Sequence, residues 1–250
     1  MKVYENVVIG CGYASIGFAI ANKSTLILEK RQSADTSFYL PLKTFKKVDF
    51  TPKTECARQL NELFESKNLY KDGIQNTNAF ESVFCEFILS KNINVLFKST
   101  VISISQNKNL FEITYSSVNG LSKVFAKNVL DMRKGTANEK FLTVLFYSPR
   151  TLTDTTSFEK QFNDCYIEKA FFQNGYALHF KVDINKSHID AKEEFLDKWK
   201  TLQTDCKILY VAPKFYYTYS QQTLPPKDAY FDSPIKALEQ GYLYTLTKGE

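Results

Sequence analysis

Residues 7–17 read Val-Val-Ile-Gly-Cys-Gly-Tyr-Ala-Ser-Ile-Gly, and residues 25–29 read Thr-Leu-Ile-Leu-Glu. This pattern predicts a buried strand, a glycine turn, a short helix and a second buried strand that ends in a carboxylate. Gly10 permits the tight turn, and Gly12 lets the backbone approach a pyrophosphate that the N–H groups of the helix would bind. Glu29 follows Gly10 by 19 residues, close to the spacing of an acidic side chain that accepts from a ribose hydroxyl. The stretch therefore predicts a dinucleotide-binding unit.

The pattern departs from the usual fingerprint at one position. Ser15 stands where a third glycine or alanine would let the helix and the strand pack closely, and Gly17 comes two positions later. A strand and turn without any ligand therefore stay open as an interpretation, because the glycine pattern alone is a weak signal. A secretory leader fits less well, because Glu5 interrupts the basic start that such a leader requires.

Composition limits the classes of protein to which the chain can belong. Its 250 residues suffice for one large domain or two small ones, and 44% hydrophobic and 24% charged residues are typical of globular proteins. The basic residues behind the net charge of +5 are interspersed with acidic residues, so nucleic-acid binding is not predicted. The five cysteines form no CxxC and no zinc spacing, which suits a reducing cytoplasm and predicts no metal site. No apolar run reaches membrane-spanning length, so no membrane association is predicted.

Periodicity predicts alternating helices and strands. Helices are predicted over residues 13–21, 54–67, 78–90, 190–202 and 233–247. Strands are predicted over residues 7–9, 25–29, 93–97, 100–105, 110–116, 123–129, 141–147, 165–173, 176–182 and 208–211. Three of them, from residue 100 to residue 129, are predicted to form an antiparallel meander, and residues 30–50 a loop over the nucleotide.

Four segments, in this order, resemble the flavoprotein superfamily that includes glutathione reductase and D-amino-acid oxidase. The first is residues 7–29, and the second is residues 78–104, where a helix and an apolar strand lead to Thr100-Val101. The third, residues 126–135, is similar to a strand that ends in an Ala-Thr-Gly-type motif, but reads Asp-Met-Arg-Lys-Gly from Asp131. The fourth, residues 228–241, resembles the family's C-terminal Gly-Asp segment, with Lys227 in place of the glycine.

The resemblance implies an α/β fold in which a Rossmann-like FAD-binding domain, residues 1–135 and 224–250, carries an inserted, mainly antiparallel β-sheet substrate domain, residues 136–223. FAD is the implied cofactor. A carboxylate at Glu29 favours an unphosphorylated ribose, which suits FAD or NAD but not NADP, and FAD is favoured because only one fingerprint is visible and the segment at Asp228 returns to it. The implied cofactor contacts are Gly10, Gly12, Ala14, Ser15, Glu29, Lys30, Val101, Asp131, Asp228, Pro234 and Ile235.

The predicted function is an FAD-dependent oxidoreductase that acts on a small organic substrate by hydride transfer to the flavin. Substrate contacts are predicted at Arg150, Tyr216 and Tyr217, and no catalytic residue is predicted, since His179 suits a structural role as well as a catalytic one. A protein partner or a homo-oligomer stays open. One alternative is a catalytically degenerate flavoprotein-fold subunit that binds FAD structurally or scaffolds a catalytic partner. Another is an NAD-dependent dehydrogenase.

Overall fold

The computed structural model describes residues 2–34, 37–42, 50–71, 74–76, 79–133, 137–219 and 225–245. Its elements fall into two main sheets and the helices that cover them. The strands of the first sheet are β1 (Val3–Ile9), β2 (Thr25–Leu28), β5 (Asn94–Leu96), β6 (Thr100–Asn107), β7 (Leu110–Ser117) and β8 (Gly120–Asp131). A two-stranded hairpin, β3 (Tyr70–Lys71) and β4 (Ile74–Gln75), lies apart from it.

The first sheet has six strands in the order β5-β2-β1-β8-β7-β6. The strands β5, β2, β1 and β8 run parallel to one another, and β8, β7 and β6 form an antiparallel meander. Strand β2 is buried over its whole length, as the apolar run from residue 25 requires when both faces of a sheet are covered. Because β1, β2 and β8 are parallel, the loops that follow them meet at one edge of the sheet.

Helices cover one face of the first sheet. They are α1 (Tyr13–Ala21), α2 (Glu55–Ser66), α3 (Phe80–Ser90) and α6 (Pro234–Leu243). Their apolar side chains form the largest core with Val8, Ile27 and Leu130 of the strands. On the other face, Val7 and Leu26 pack against Ile113 and Tyr115 of the meander. The parallel strands are therefore enclosed on both sides.

The second sheet is antiparallel throughout and has its own core. Its strands are β9 (Glu139–Tyr147), β10 (Cys165–Lys169), β11 (Gly175–Val182), β12 (Lys207–Val211) and β13 (Tyr216–Thr218), with β9 at the centre. Helices α4 (Thr156–Phe162) and α5 (His188–Thr201) cover one face, where aromatic rings such as Phe146, Phe162 and Phe195 fill the core. The opposite face of β9 and β11 carries polar side chains, among them Thr143 and His179.

Helices α1 and α6 pack at very short range because each presents a glycine to the other. A Cβ on Gly17 would lie 2.0 Å from the carbonyl oxygen of Leu238, and one on Gly241 would lie 1.9 Å from that of Ala14. No side chain larger than hydrogen fits at either position. The C-terminal helix is thereby fixed beside the glycine turn at the N-terminus of α1.

Most predicted elements are present, with shifted ends. The final helix ends at Leu243 rather than at residue 247, and the predicted strand 165–173 ends at Lys169. Helix α4, strand β13 and the β3–β4 hairpin were not predicted, because each is too short to show a period. Residues 35–36 and 43–49 of the predicted loop, Asn78, residues 134–135 and residues 246–247 lie outside the described residues. Within the described part of the chain, every helix is too short or too polar to span a bilayer.

The close contact between α1 and α6 should reverse the usual effect on stability of replacing a helical glycine with alanine. Inside a helix, Gly→Ala normally stabilises by up to about 1 kcal/mol. Gly241→Ala should instead lower the free energy of unfolding by roughly 2–3 kcal/mol, because the new methyl group would overlap the backbone of α1. Urea denaturation measures this, with Gly120→Ala as the control, since a Cβ there meets open space and should cost only about 1 kcal/mol of backbone strain. An unchanged or higher stability of Gly241→Ala would contradict the close packing.

Candidate functional site

The glycine turn carries the chain from β1 into α1. Gly10 has φ +96°, a conformation that favours glycine, and its N–H donates to the Leu28 carbonyl at 2.9 Å. A Cβ on Gly10 would also lie 3.3 Å from Cγ of Arg133. Gly12 precedes α1 in an extended conformation, with φ −149° and ψ −173°. The turn therefore brings the N-terminus of α1 to the edge of the sheet where β1, β2 and β8 end.

Ser15 makes a hydrogen bond that a glycine or an alanine at this position could not make. It is buried, and its hydroxyl donates to the carbonyl oxygen of Gly10 at 2.7 Å. This bond satisfies a buried backbone acceptor of the turn. The residue of α1 that allows a close backbone contact is instead Gly17. This contact is with α6 and not with the sheet.

Glu29 binds the glycine loop directly. The residue is 6% exposed, and its two carboxylate oxygens accept from the backbone N–H of Cys11 at 2.7 Å and of Arg31 at 2.9 Å. Its backbone also pairs with residues 96–99, since Ser99 N–H donates to the Glu29 carbonyl at 2.8 Å. Each carboxylate oxygen retains a second lone pair, so the predicted contact with a ribose hydroxyl stays compatible with these bonds.

Asp228 occupies the N-terminus of α1. It lies in a single 3-10 turn, Asp228–Tyr230, and the residue is 7% exposed. Oδ2 accepts from the backbone N–H of Tyr13 at 2.8 Å, and Oδ1 accepts from that of Ala14 at 2.7 Å. A Cβ on Gly12 would lie 2.1 Å from Oδ2. The space that Gly12 leaves beside the helix therefore holds an anion of the chain itself.

These groups line one cleft of about 290 Å³ at the edge of the first sheet. The structure brings seven of the predicted cofactor contacts to this cleft: Gly10, Gly12, Ser15, Glu29, Lys30, Val101 and Asp228. Sequence reasoning missed other lining residues, which are Ile9, Cys11, Leu28, Arg31, Ser37, Ser99, Thr100, Met132, Arg133 and Lys227. Most of these are direct neighbours of a predicted contact, which is the signal that could have found them. Four lining residues are cationic, and two are carboxylates.

Asp131, the last residue of β8, forms an ion pair with Arg133. The guanidinium donates to both carboxylate oxygens, with Nε 2.9 Å from Oδ1 and Nη2 2.6 Å from Oδ2. Burial raises the pKa of Asp131, but the hydrogen bonds and charge of Arg133 outweigh this and hold the pKa below its ordinary value. Asp131 thus orients an arginine that lines the cleft.

The other predicted cofactor contacts lie in the first turns of α1 and α6. Ala14 contributes its backbone N–H to Asp228. Pro234 and Ile235 form the buried first turn of α6, and Ile235 belongs to the main core. Neither of these two residues lines the cleft at the end of β1 and β2.

A polar and aromatic cluster lies on the face of the second sheet opposite α4 and α5. The His179 side chain is 1% exposed, with Nδ1 3.0 Å from the Thr143 hydroxyl and Nε2 3.4 Å from a Glu168 carboxylate oxygen. The Tyr166 ring stacks on the imidazole at 4.4 Å between centroids, and the Tyr216 ring contacts it edge-on at 6.1 Å. Burial raises the pKa of Tyr216, which stays a neutral hydroxyl near pH 7.

The three predicted substrate contacts do not come together. Tyr216 pairs with Phe141 at the start of β9 and joins the cluster around His179. Tyr217 points to the other face of the sheet and packs edge-on against Phe215. Arg150 is exposed and follows the far end of β9, and that end lies about 20 Å along the strand from Phe141, the partner of Tyr216.

Tyr219 joins the second sheet to the turn that carries Asp228. Its ring contacts Tyr230 edge-on, with centroids 5.3 Å apart. Its hydroxyl is buried and has no hydrogen-bond partner among the residues that the structure describes. Burial raises the pKa of Tyr219 to about 12.

Solved structures share this fold. A p-nitrophenol 4-monooxygenase from Pseudomonas putida superposes with a TM-score of 0.55 over 87% of this chain and 69% of that enzyme, at 12% sequence identity. A flavoprotein/dehydrogenase from Cytophaga hutchinsonii gives a TM-score of 0.53 over 96% of this chain and 76% of that protein, at 13% identity. Aklavinone-11 hydroxylase, in a ternary complex with FAD and aklavinone, gives 0.50 over 87% of this chain and 54% of its own, at 10% identity.

This likeness shows the fold alone. The chain has a mixed α/β fold of the kind found in FAD-binding hydroxylases and monooxygenases, and the predicted α/β class is confirmed at that level. It spans about half the length of aklavinone-11 hydroxylase. No protein-family model matches the sequence, and no curated protein matches it either.

The buried Tyr219 hydroxyl should make the free energy of unfolding depend on pH in the alkaline range. Because the pKa is about 12 in the folded chain and 10.0 ordinarily, the folded state holds its proton when the unfolded state has lost it. The stabilisation that comes from keeping the Tyr219 hydroxyl protonated is complete below the ordinary pKa of 10.0. It is lost as the pH rises from there through the folded-state pKa of about 12. Tyr219→Phe should remove this part of the alkaline loss. It should also stabilise at neutral pH by about 1 kcal/mol, because an unsatisfied buried hydroxyl disappears.

Urea denaturation from neutral pH to about pH 11 measures both effects. Tyr210→Phe, at an exposed position of β12, is the matched control for the loss of a phenol. An alkaline stability curve for Tyr219→Phe that coincides with the unaltered protein would show that the hydroxyl has no such role.

Proposed function

We propose that this chain is an FAD-binding flavoprotein that oxidises a small organic substrate. One observation carries the proposal: the Gly10–Gly12 turn, the N-terminus of α1, Glu29 and the distant Asp228 all meet in one cleft. The cleft lies where the parallel strands end, which is where open α/β sheets bind nucleotides. Its fold neighbours include a hydroxylase captured with FAD.

The residues of the cleft fit the nucleotide end of FAD. The Asp228 carboxylate acts as a stand-in anion, because its bonds of 2.7 and 2.8 Å show that the N-terminus of α1 binds negative charge. Lysine and arginine side chains at Lys30, Arg31 and Arg133 surround the same space and would favour a phosphate group. The volume of about 290 Å³ lies near the lower end for ligand pockets, which suits a nucleotide portion rather than a whole dinucleotide.

We infer the following roles within this cleft. Gly12 and the N–H groups of α1 would receive the pyrophosphate, Glu29 would accept from the ribose, and the backbone at Val101 would contact the adenine. Bound FAD would supply the redox chemistry, by accepting a hydride from the substrate. Arg133, held by Asp131, would place positive charge beside the phosphates.

The substrate would contact the face of the second sheet that carries Tyr216. With the substrate at this face, residues 1–135 and 224–250 would form a Rossmann-like FAD-binding domain, and residues 136–223 would form an inserted substrate domain. The partly exposed rings of Tyr166 and Tyr216 offer a stacking surface with hydroxyl groups, which suits a small aromatic molecule, whereas the buried His179 contacts both rings without being accessible itself. The fold neighbours include a p-nitrophenol monooxygenase and an aklavinone hydroxylase, which supports this substrate class. A cytoplasmic location stays a prediction of the sequence.

A second candidate function is a degenerate flavoprotein-fold subunit that scaffolds a catalytic partner. The observation that favours it is that Glu29 and Asp228 already satisfy the N–H groups of the glycine loop and of α1. In such a protein these carboxylates would be permanent structural groups. Failure of the purified protein to take up FAD, together with a stoichiometric partner, would select this candidate.

Glu29 provides the test of FAD binding. Glu29→Ala should weaken FAD affinity at least tenfold, because a charge-assisted hydrogen bond to the ribose is worth about 1.5–3 kcal/mol. Flavin fluorescence during titration measures the affinity. Glu112→Ala is the matched control, since that carboxylate pairs with Lys123 on the distant meander and should leave FAD affinity unchanged.

Glu29 also supports the glycine loop, so thermal unfolding without ligand must accompany each titration. A correctly folded Glu29→Ala variant with unchanged FAD affinity would show that the ribose is held elsewhere. Tight binding of NAD without uptake of FAD would instead identify a nicotinamide-dependent dehydrogenase.

A further inference from the structure

The bond between Asp228 and α1 saturates two backbone donors. Each oxygen of the carboxylate accepts from a different N–H, at distances typical of charge-assisted hydrogen bonds. The carboxylate also fills the space beside Gly12, because a Cβ at that glycine would lie within 2.1–3.0 Å of three Asp228 atoms. Asp228 is therefore seated in the helix N-terminus as an external anion would be.

A pyrophosphate would require the same two donors. Each backbone N–H has one hydrogen, so Tyr13 and Ala14 cannot serve the carboxylate and a phosphate fully at once. Two anions at one buried position also repel each other. Binding of a dinucleotide at this helix therefore requires the Asp228 side chain to leave the N–H groups of α1.

The surrounding structure confines that movement to a short segment. Asp228 lies in a single 3-10 turn, whereas α6 begins six residues later, at Pro234, and is fixed against α1 by Gly17 and Gly241. Lys227 and Arg133 line the same cleft, so a displaced carboxylate would meet cations there. Displacement of the Asp228 side chain alone would therefore free the two N–H groups and leave both helices in place.

We propose that Asp228 is a built-in competitor of the ligand, which holds the N-terminus of α1 until the pyrophosphate of FAD replaces it. The proposal rests on the proposed function and adds how its site is regulated. It requires that removing the carboxylate has two opposite effects. The unliganded protein loses stability, because two buried N–H groups lose their acceptor, and the affinity for FAD rises.

Asp228→Asn tests this directly, because the amide preserves the shape but can accept from only one of the two N–H groups. Asp228→Ala is the second variant, in case the amide keeps part of the contact. Asp232→Asn is the matched control: it removes a carboxylate from the same segment, but Asp232 is exposed and pairs with Lys236. For each protein, FAD affinity is titrated by fluorescence, and thermal unfolding is recorded alone, with FAD and with inorganic pyrophosphate.

The proposal expects Asp228→Asn to melt at a lower temperature without ligand and to bind FAD at least tenfold more tightly than the unaltered protein, about 1.4 kcal/mol. Asp232→Asn should match the unaltered protein in both measurements. Equal or weaker FAD binding by both Asp228 variants would overturn the competitor role of Asp228. The proposed FAD-binding function would still stand, and Asp228 would then be a cofactor ligand or a residue without influence on binding.

Thermal unfolding with inorganic pyrophosphate distinguishes the competitor role of Asp228 from the binding of FAD. If no variant binds FAD but pyrophosphate stabilises Asp228→Asn more than the unaltered protein, the competitor role is supported and the FAD proposal fails. If neither FAD nor pyrophosphate stabilises any variant, both proposals are overturned.

Discussion

The N-terminus of α1 imposes the constraint on which the site depends. A buried helix start exposes N–H groups that cannot reach water and must find acceptors. Tyr13 and Ala14 find Asp228, and Cys11 in the preceding loop finds Glu29. Two carboxylates therefore stabilise a segment that would otherwise be costly to bury. The same donors give the site its affinity for negative charge.

The acceptor at α1 comes from a residue 215 positions away, so the C-terminal segment has to be held in place. Two further contacts do this. Gly17 and Gly241 let α1 and α6 approach to backbone distance. The buried carboxylate of Glu239 in α6 accepts from the backbone N–H groups of Lys53 and Thr54, at 2.6 and 2.8 Å, where α2 begins. The C-terminal segment thus supplies an acidic residue to the N-termini of two different helices.

The sequence predicted what local patterns determine. Strands β1 and β2, the glycine turn and α1 followed from apolar runs and from Gly10, and the meander followed from alternation around the turn at Gly120. The family resemblance, rather than a local pattern, implied that Glu29 and the segment at Asp228 belong to one site. Helix α4 was missed because only Phe158 and Phe162 of its seven residues are buried.

The bonds within the site could not be predicted, because they join distant parts of the chain. Nothing near Asp228 in the sequence indicates that its carboxylate lies on α1. Ser15 looked like an imperfect substitute for glycine, whereas its hydroxyl satisfies the carbonyl of Gly10. The clustering of His179 with Tyr166 and Tyr216 likewise depends on the register of β9, β10 and β11 and on the position of β13.

We propose that the N-terminus of α1 is an anion site able to bind the pyrophosphate of FAD. The most direct measurement is an amide ¹H–¹⁵N spectrum of the labelled protein during titration with FAD. The amide resonances of Tyr13 and Ala14 should shift more than those of the exposed turn at Gly120, because their hydrogen bonds change acceptor. Unchanged resonances at Tyr13 and Ala14 under saturating FAD would contradict the claim.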